Sequence, residues 1–194
     1  MEIYVKRESE STKSRFVTPT YIDREGNQIV TGAEHPVVTE DVNHYRLHEG
    51  RAFYMYENRK NGTPLADDGY ITFAIASGSG TRMHMTIGGI CGGDGEIQLY
   101  EGSTVTGGTA KTAIARSRQG SITSDTAILL DPTITTLGTQ LFEELVAGGV
   151  KKRAGGGSGE SSQFLLAPLT TYIIRLQNVS GSSQYATLEL EWYE

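Results

Sequence analysis

One cysteine in 194 residues, Cys91, rules out any disulfide within the chain and points to synthesis in a reducing cytoplasm. Its neighbours Ile90, Gly92 and Gly93 include no His or Lys to stabilise a thiolate, so a buried inert thiol is expected. Long apolar runs are also missing. None approaches the length of a membrane span, and the first fifteen residues are too polar for a signal peptide, so no membrane partner is expected. Basic clusters are few. The net charge is −6, Lys6, Arg7, Lys13 and Arg15 are interleaved with Glu2, Glu8 and Glu10, and Lys151-Lys152-Arg153 sits in a Gly-rich stretch. Phosphate neutralisation supplies most nucleic-acid affinity, so nucleic acid is not an expected partner either.

Motifs of chemistry are equally sparse. Thr106-Gly107-Gly108-Thr109-Ala110-Lys111-Thr112 ends like a phosphate loop, but Ala110 stands where the glycine before the lysine belongs. A surface turn is the expected reading. His44 and His48 have the spacing of two zinc ligands on a helix, with no metalloprotease Glu between them and no third ligand nearby. Asp67-Asp68 and Gly93-Asp94-Gly95 are fragments of a calcium loop without its alternating acids. No Gly-x-Ser-x-Gly elbow occurs. Glu143-Glu144, and Glu189 with Glu191, are neighbours in sequence rather than acids facing across a cleft. Asn178-Val179-Ser180 matches a glycosylation sequon, without consequence in a chain that is not secreted. No cofactor, metal or catalytic residue is expected, and no enzyme.

What is present is glycine and alternation. Glycine supplies 24 residues, roughly 12% of the chain against a usual 7% or so. Turn clusters at Ser77-Gly78-Ser79-Gly80, Gly92-Gly93-Asp94-Gly95, Gly107-Gly108 and Gly155-Gly156-Gly157-Ser158-Gly159 punctuate short runs of period two. Ile71, Phe73 and Ile75 alternate with small or polar residues. So do Met83, Met85 and Ile87, and Ile97 and Leu99. Tyr172, Ile174 and Leu176, then Ala186, Leu188, Leu190 and Trp192, flank the turn at residues 179–183 and read as a closing hairpin. Residues 140–146 read equally as a short helix or as a strand continuing from the β-branched run at residues 133–136. The layout is all-β, a sandwich, jelly roll or barrel. Its expected core is Ile71, Phe73, Ile87, Ile97, Leu99, Ile174, Leu176, Leu188, Leu190 and Trp192.

Residues 1–45 differ. Apolar islands such as Ile3-Tyr4-Val5, Phe16-Val17 and Tyr21-Ile22 alternate with charge and turns without helical period. They predict an N-terminal arm or small β extension ahead of a domain at residues 46–194. An arm that cannot close its own core takes its burial from a partner, and Ile3-Tyr4-Val5 suits addition to a sheet edge. Ile3, Tyr4, Val5, Lys6, Arg7, Phe16 and Tyr21 are therefore candidate contacts to a partner assembly or an adjacent subunit. Phe53, Tyr54, Met55 and Tyr56, a run with no polar face, are candidate oligomer contacts. The loop at residues 148–162 is expected to be exposed and non-catalytic.

From Val42 onward the order of phrases resembles a known family. His44, then His48-Glu49-Gly50, Ala52 and Phe53, is similar to a segment of phage head proteins. Ile97-Gln98-Leu99-Tyr100-Glu101 followed by Gly107-Gly108-Thr109 looks like a hairpin of theirs. Thr136-Leu137-Gly138-Thr139, Phe164-Leu165-Leu166, Asn178-Val179-Ser180-Gly181 and Glu191-Trp192-Tyr193-Glu194 follow in order. The chain thus resembles the tailed-bacteriophage capsid decoration (head auxiliary or cement) proteins. That resemblance implies an antiparallel β-sandwich of jelly-roll type and a virion protein on the capsid exterior, made in the bacterial host cytoplasm. It also implies the major capsid protein as partner and a homotrimer. Residues 115–119, Ala-Arg-Ser-Arg-Gln, depart from the Asn-rich pattern of the family at that position, and residues 1–40 match nothing in it. The alternative keeps the fold and changes the address to a tail, baseplate or host-attachment module binding a host-surface glycan.

Overall fold

The computed structural model describes residues 20–22, 28–30, 42–78, 82–119, 122–148 and 163–194. The chain divides into two units, Met1–Asp41 and Val42–Glu194. In the first, β1 (Thr20–Ile22) and β2 (Gln28–Val30) pair antiparallel, with Tyr21 opposite Ile29. Ile3, Tyr4, Val5, Lys6, Arg7 and Phe16 lie outside the described residues, as does the loop beyond Gly148.

The second unit opens on a helix that the apolar pattern does not reveal, α1 (Val42–His48). Seven residues are too few to display a helical period. Its stop signal is legible, however. Gly50 sits at φ 72°, its N–H donates to Leu47 O, and the Arg51 N–H donates to Arg46 O. That pair of bonds is a Schellman cap, which favours glycine at the left-handed position. The Arg46–Glu49 ion pair (3.0 Å) braces the same turn. The unit therefore begins at residue 42, four residues before the expected 46.

Two antiparallel sheets follow. The strands are β3 (Ala52–Arg59), β4 (Tyr70–Ala76), β5 (Met83–Cys91), β6 (Gly95–Glu101), β7 (Thr104–Thr106), β8 (Thr109–Lys111), β9 (Ile114–Ala115), β10 (Ala127–Leu130), β11 (Thr133–Thr136), β12 (Thr139–Val146), β13 (Gln163–Leu166), β14 (Thr171–Asn178) and β15 (Ala186–Tyr193). A six-stranded sheet has the order β12-β6-β14-β4-β10-β8, and a five-stranded sheet the order β13-β5-β15-β3-β9. One apolar cluster takes side chains from both inner faces, so the sheets pack face to face as a sandwich. All ten expected core residues are buried in it; Ile71, Phe73, Leu99, Ile174, Leu176, Leu188 and Leu190 are at most marginally exposed. Each such side chain contributes roughly 1.5–3 kcal/mol by leaving water.

Two local expectations are corrected, and one that was open is decided. β14 and β15 do not form a hairpin: β14 lies between β4 and β6, and β15 between β3 and β5 in the opposite sheet. Alternation identifies the buried face of a strand, but two strands facing the core from opposite sheets alternate just as a hairpin does. Likewise β6 does not pair with β7 or β8. Instead residues 104–111 and 127–136 form one antiparallel ribbon, β7 with β11 and β8 with β10. It kinks where Gly107 (φ 64°) and Gly108 (φ 89°) face Asp131 (φ 46°) and Pro132, so the phosphate-loop look-alike is a bend. Beyond the kink, Val105, Ile134 and Leu137 cover a second small core of Ala74, Tyr100 and Ile173 on the outer face of the six-stranded sheet. Finally, residues 139–146 form strand β12 rather than a helix, because they ladder with β6 along their length.

Crossings between sheets have no hairpin ladder to hold them, so side chains do. Asn178, fully buried, donates from Nδ2 to the carbonyls of Leu65 (3.0 Å), Ala66 (3.0 Å) and Ser182 (2.7 Å). Its Oδ1 accepts from the Ser180 N–H (3.2 Å) and hydroxyl (2.8 Å). The sequon is thus a structural joint, inaccessible in the folded chain. Tyr172 donates to Glu101 (2.6 Å) and accepts from the Ala167 N–H (2.9 Å). Cys91 is buried and its thiol pKa is raised by that burial, as expected of an inert thiol.

Two outcomes are expected. Asn178→Ala removes the buried amide's hydrogen bonds to three backbone carbonyls, each of which keeps a second donor, and should cost about 1–3 kcal/mol in chemical denaturation, with the loss shared by Asn178→Asp, which removes the amide donors. Burial first and the Glu101 carboxylate second push the Tyr172 phenol up to about 12 from an ordinary 10.0. The folded chain therefore keeps a proton that the unfolded chain releases. This contribution is fully present below pH 10 and is lost as pH rises through about 12. Denaturation midpoints should fall across that window, and less steeply in Tyr172→Phe.

Candidate functional site

The two outer faces of the sandwich differ in kind. On the six-stranded sheet, Arg175 donates from Nε to Gln98 Oε1 (2.6 Å) and from Nη2 to the Tyr100 hydroxyl (3.1 Å), with its guanidinium 4.6 Å from the Tyr70 ring centre. Gln98 in turn donates to Glu96 (3.3 Å) and Glu143 (3.2 Å). These groups satisfy one another, and the adjoining second core is covered by the kinked ribbon. This face is committed to holding itself together.

Among the described residues, no second layer covers the outer face of the five-stranded sheet. Strand period two turns Phe53 and Met55 into the core, where they are 1% and 4% exposed, and Tyr54 and Tyr56 outward. Phe53 stacks on Trp192 at 5.9 Å inside the sandwich. Of the four candidate oligomer contacts, Phe53 and Met55 therefore lie within the chain's own core, where they cannot meet a partner; Tyr54 and Tyr56 lie at the surface. Their rings are 5.4 Å apart. Antiparallel register sets Glu191 opposite Tyr54, and Glu189 opposite Tyr56, on the neighbouring β15. Gly88 on β5 has no side chain, and the space is filled by Glu189, whose carboxylate would lie 2.9 Å from a Cβ placed there. The Tyr54 hydroxyl donates to that carboxylate; burial, then the charges of Glu189 and Glu191, raise its pKa. Arg116 pairs with Glu191 at 2.8 Å.

Tyr54, Ile114, Arg116, Glu189 and Glu191 line a shallow depression of about 320 Å³. A second, of about 270 Å³, lies further along the same strands between Asn58, Lys60, Ile90, Tyr185 and Thr187. Tyr185 is 60% and Ile90 49% exposed, and the Thr187 hydroxyl donates to Asn58 (2.8 Å). At the opposite end His84 and Tyr193 stack at 4.5 Å, with the His84 pKa lowered by burial and by the Arg46 charge. The face thus combines flat rings with carboxylate, amide and hydroxyl groups, a chemistry of adhesion. Among the described residues no three His, Cys, Asp or Glu side chains converge as metal ligands, and His48 and Asp94 stand in no such group. Sequence reading singled out Tyr54 and Tyr56 but not their partners Glu189 and Gly88, whose signal is the cross-strand register and hence tertiary.

Comparison with protein-family models, with curated proteins and with solved structures finds no match to this chain.

Gly88→Ala should displace the flexible Glu189 side chain at a cost below about 1 kcal/mol. Glu189→Gln, which removes the neighbouring carboxylate charge, should in a spectrophotometric titration move the Tyr54 phenol part of the way back toward its ordinary value. Burial, the larger cause, remains, so full return to the ordinary value would contradict the assignment.

Proposed function

We propose that the protein is a structural component of a tailed-phage particle that binds the outside of the capsid and stabilises it, and that its sandwich is of jelly-roll type. Strand order supports the fold half of this reading. β3, β15, β5 and β13 lie side by side in one sheet and β4, β14, β6 and β12 in the other. That order fits the interleaving of an eight-stranded jelly roll, an architecture of viral capsid and lectin domains. Fold analogy alone does not assign a function.

The observation that carries the functional half is where the resembling phrases fall. His48-Glu49-Gly50 closes α1. Gln98-Leu99-Tyr100-Glu101 lies on β6, between β12 and β14 in the six-stranded sheet. Leu137-Gly138 wedges against β6, with a Cβ on Gly138 (φ 84°) meeting Glu101 O at 2.1 Å. Asn178-Val179-Ser180-Gly181 is the buried joint, and Trp192 ends the core. Most of the phrases are framework positions rather than pocket linings, Glu191 and Tyr193 being the exceptions, and a likeness mainly of framework fits a protein whose task is to present surfaces. Residues 1–45 then serve as an arm toward the capsid or an adjacent subunit, in a homo-oligomer with three subunits.

The Tyr54–Tyr56 pair favours a second reading, a host-attachment module holding a glycan. Neighbouring rings on a sheet face beside carboxylates and amides suit the apolar faces and hydroxyls of a sugar.

One experiment separates the two. The purified protein should bind particles that lack it saturably, and a Tyr54→Ala/Tyr56→Ala variant should bind them equally well. A chain lacking residues 1–40 should fold but lose that binding. Absence of particle binding, together with tyrosine-dependent binding to host surface polysaccharide, would replace the capsid reading by the glycan reading.

A further inference from the structure

Four strands end the two sheets, and three of them are short: β8 has 3 residues, β9 has 2 and β13 has 4. The fourth, β12, has 8, and among the described residues it pairs only with β6. Its sequence, Thr-Gln-Leu-Phe-Glu-Glu-Leu-Val, contains none of the lysines or prolines that keep edges from pairing. Leu145 is 73% and Leu141 44% exposed, and the one register irregularity lies between Gln140 and Phe142, leaving the rest of the strand regular. A long, regular, apolar edge is a template for another strand.

Its charges select which strand. A second copy of β12 laid antiparallel across a two-fold axis sets Glu143 against Glu144 with no basic residue to offset them, an unfavourable pairing. The complementary strand is apolar first and basic next. Ile3-Tyr4-Val5-Lys6-Arg7 has that composition. Run antiparallel with Val5 opposite Leu145, it places Lys6 opposite Glu144 and Arg7 opposite Glu143. All three pairs keep to the correct faces, since residues two apart share a face on both strands. The other basic stretch, Lys151-Lys152-Arg153, is a poorer fit. Folded back through Gly148-Gly149 it would set Lys152 against Leu145, and the Gly148 N–H is already bound to Asp94 Oδ1 (3.0 Å), with its backbone against Gly93 at the β5–β6 turn.

We propose that the open edge of β12 receives residues 3–7 of a second copy of this chain as an added antiparallel strand, and that this exchange is what joins the subunits. The inference rests on reading residues 1–45 as an arm that serves another subunit. With Phe53 and Met55 inside the core, the edge also supplies the oligomer contact that they cannot.

The test uses the full chain. By light scattering the parent should be an oligomer. Glu143→Lys/Glu144→Lys and Lys6→Glu/Arg7→Glu should each reduce the molar mass to that of one chain while far-UV spectra and melting stay those of a folded protein. Combining all four substitutions should restore the oligomer. A Val5→Cys/Leu145→Cys variant, oxidised, should run on a denaturing gel as linked chains, the buried Cys91 being left in place. A monomeric parent, unchanged mass in either charge-reversed variant, no rescue on combination, or a cross-link confined within one chain would overturn the proposal. Particle binding by the same proteins is scored separately. Its absence with the oligomer intact tells against the capsid reading and leaves strand exchange standing.

Discussion

The structure depends on one buried amide. Asn178 ends β14 at the point where the chain leaves the six-stranded sheet for the five-stranded one, and it holds both the β3–β4 and the β14–β15 connections. The need for such a group follows from topology. In a meander each turn is closed by the ladder of the strands it joins. Here β3, β4, β5 and β6 alternate between sheets, as do β12, β13, β14 and β15, so consecutive strands share no ladder. Their connections must be tied by side chains reaching backbone groups, and in the interior each such group has to be paired. The same solution recurs on a smaller scale. Asp131 accepts from the Thr72 N–H (3.0 Å) and pairs with Arg59, drawing the ribbon's kink against β3 and β4. Glu194, nearly buried, accepts from the Asp125 N–H and the Thr126 hydroxyl and so anchors the segment before β10.

This division explains what the sequence makes legible. Period two is a property of a strand and its two environments, so Leu188, Leu190 and Trp192 announce their burial without any knowledge of their neighbours. Pairing is a property of the whole chain, and the strand opposite Leu190 is as much Met55 and Ile87 as anything adjacent in sequence. The hairpin expected at the end of the chain fails for that reason. Tyr172, Ile173 and Ile174 are buried in succession, which breaks the period. The break is itself a signal that both faces of that strand are covered, here by the kinked ribbon. The β12 segment misleads in another way: Glu-Glu-Leu is as compatible with a helix as with a strand, and only laddering to β6 decides between them.

The candidate site was half legible for the same reason. Tyr54 and Tyr56 stand out in a run that looks uniformly apolar, yet the run is two residues of core and two of surface. What converts the tyrosines into a site is the strand beside them, β15, which sets Glu189 and Glu191 opposite them, while the missing side chain of Gly88 on β5 leaves Glu189 its room. By propensity alone two glycines, Gly88-Gly89, would weaken a strand. Packing makes each glycine a recess, Gly88 for Glu189 on the outer face and Gly89 for Ile97 on the inner.

A sandwich built this way separates its tasks by position. The inner faces and the crossings are constrained by packing and by paired buried groups, and any partner must be met on what remains: one outer face, and the sheet edges. The outer face of the six-stranded sheet is already occupied by the Arg175–Gln98–Tyr100 network and the ribbon above it, so it offers few unpaired groups. The five-stranded sheet offers rings and polar groups suited to sideways adhesion, while β12 has main-chain donors and acceptors along a margin that no other described strand pairs. Main-chain pairing gives affinity with little side-chain discrimination, and the flanking charges give direction. An acidic edge and a basic, apolar segment within one acidic chain are therefore more informative together than either alone. The edge resists its own copy, and the segment is the stretch of this chain whose charge and pattern complement it.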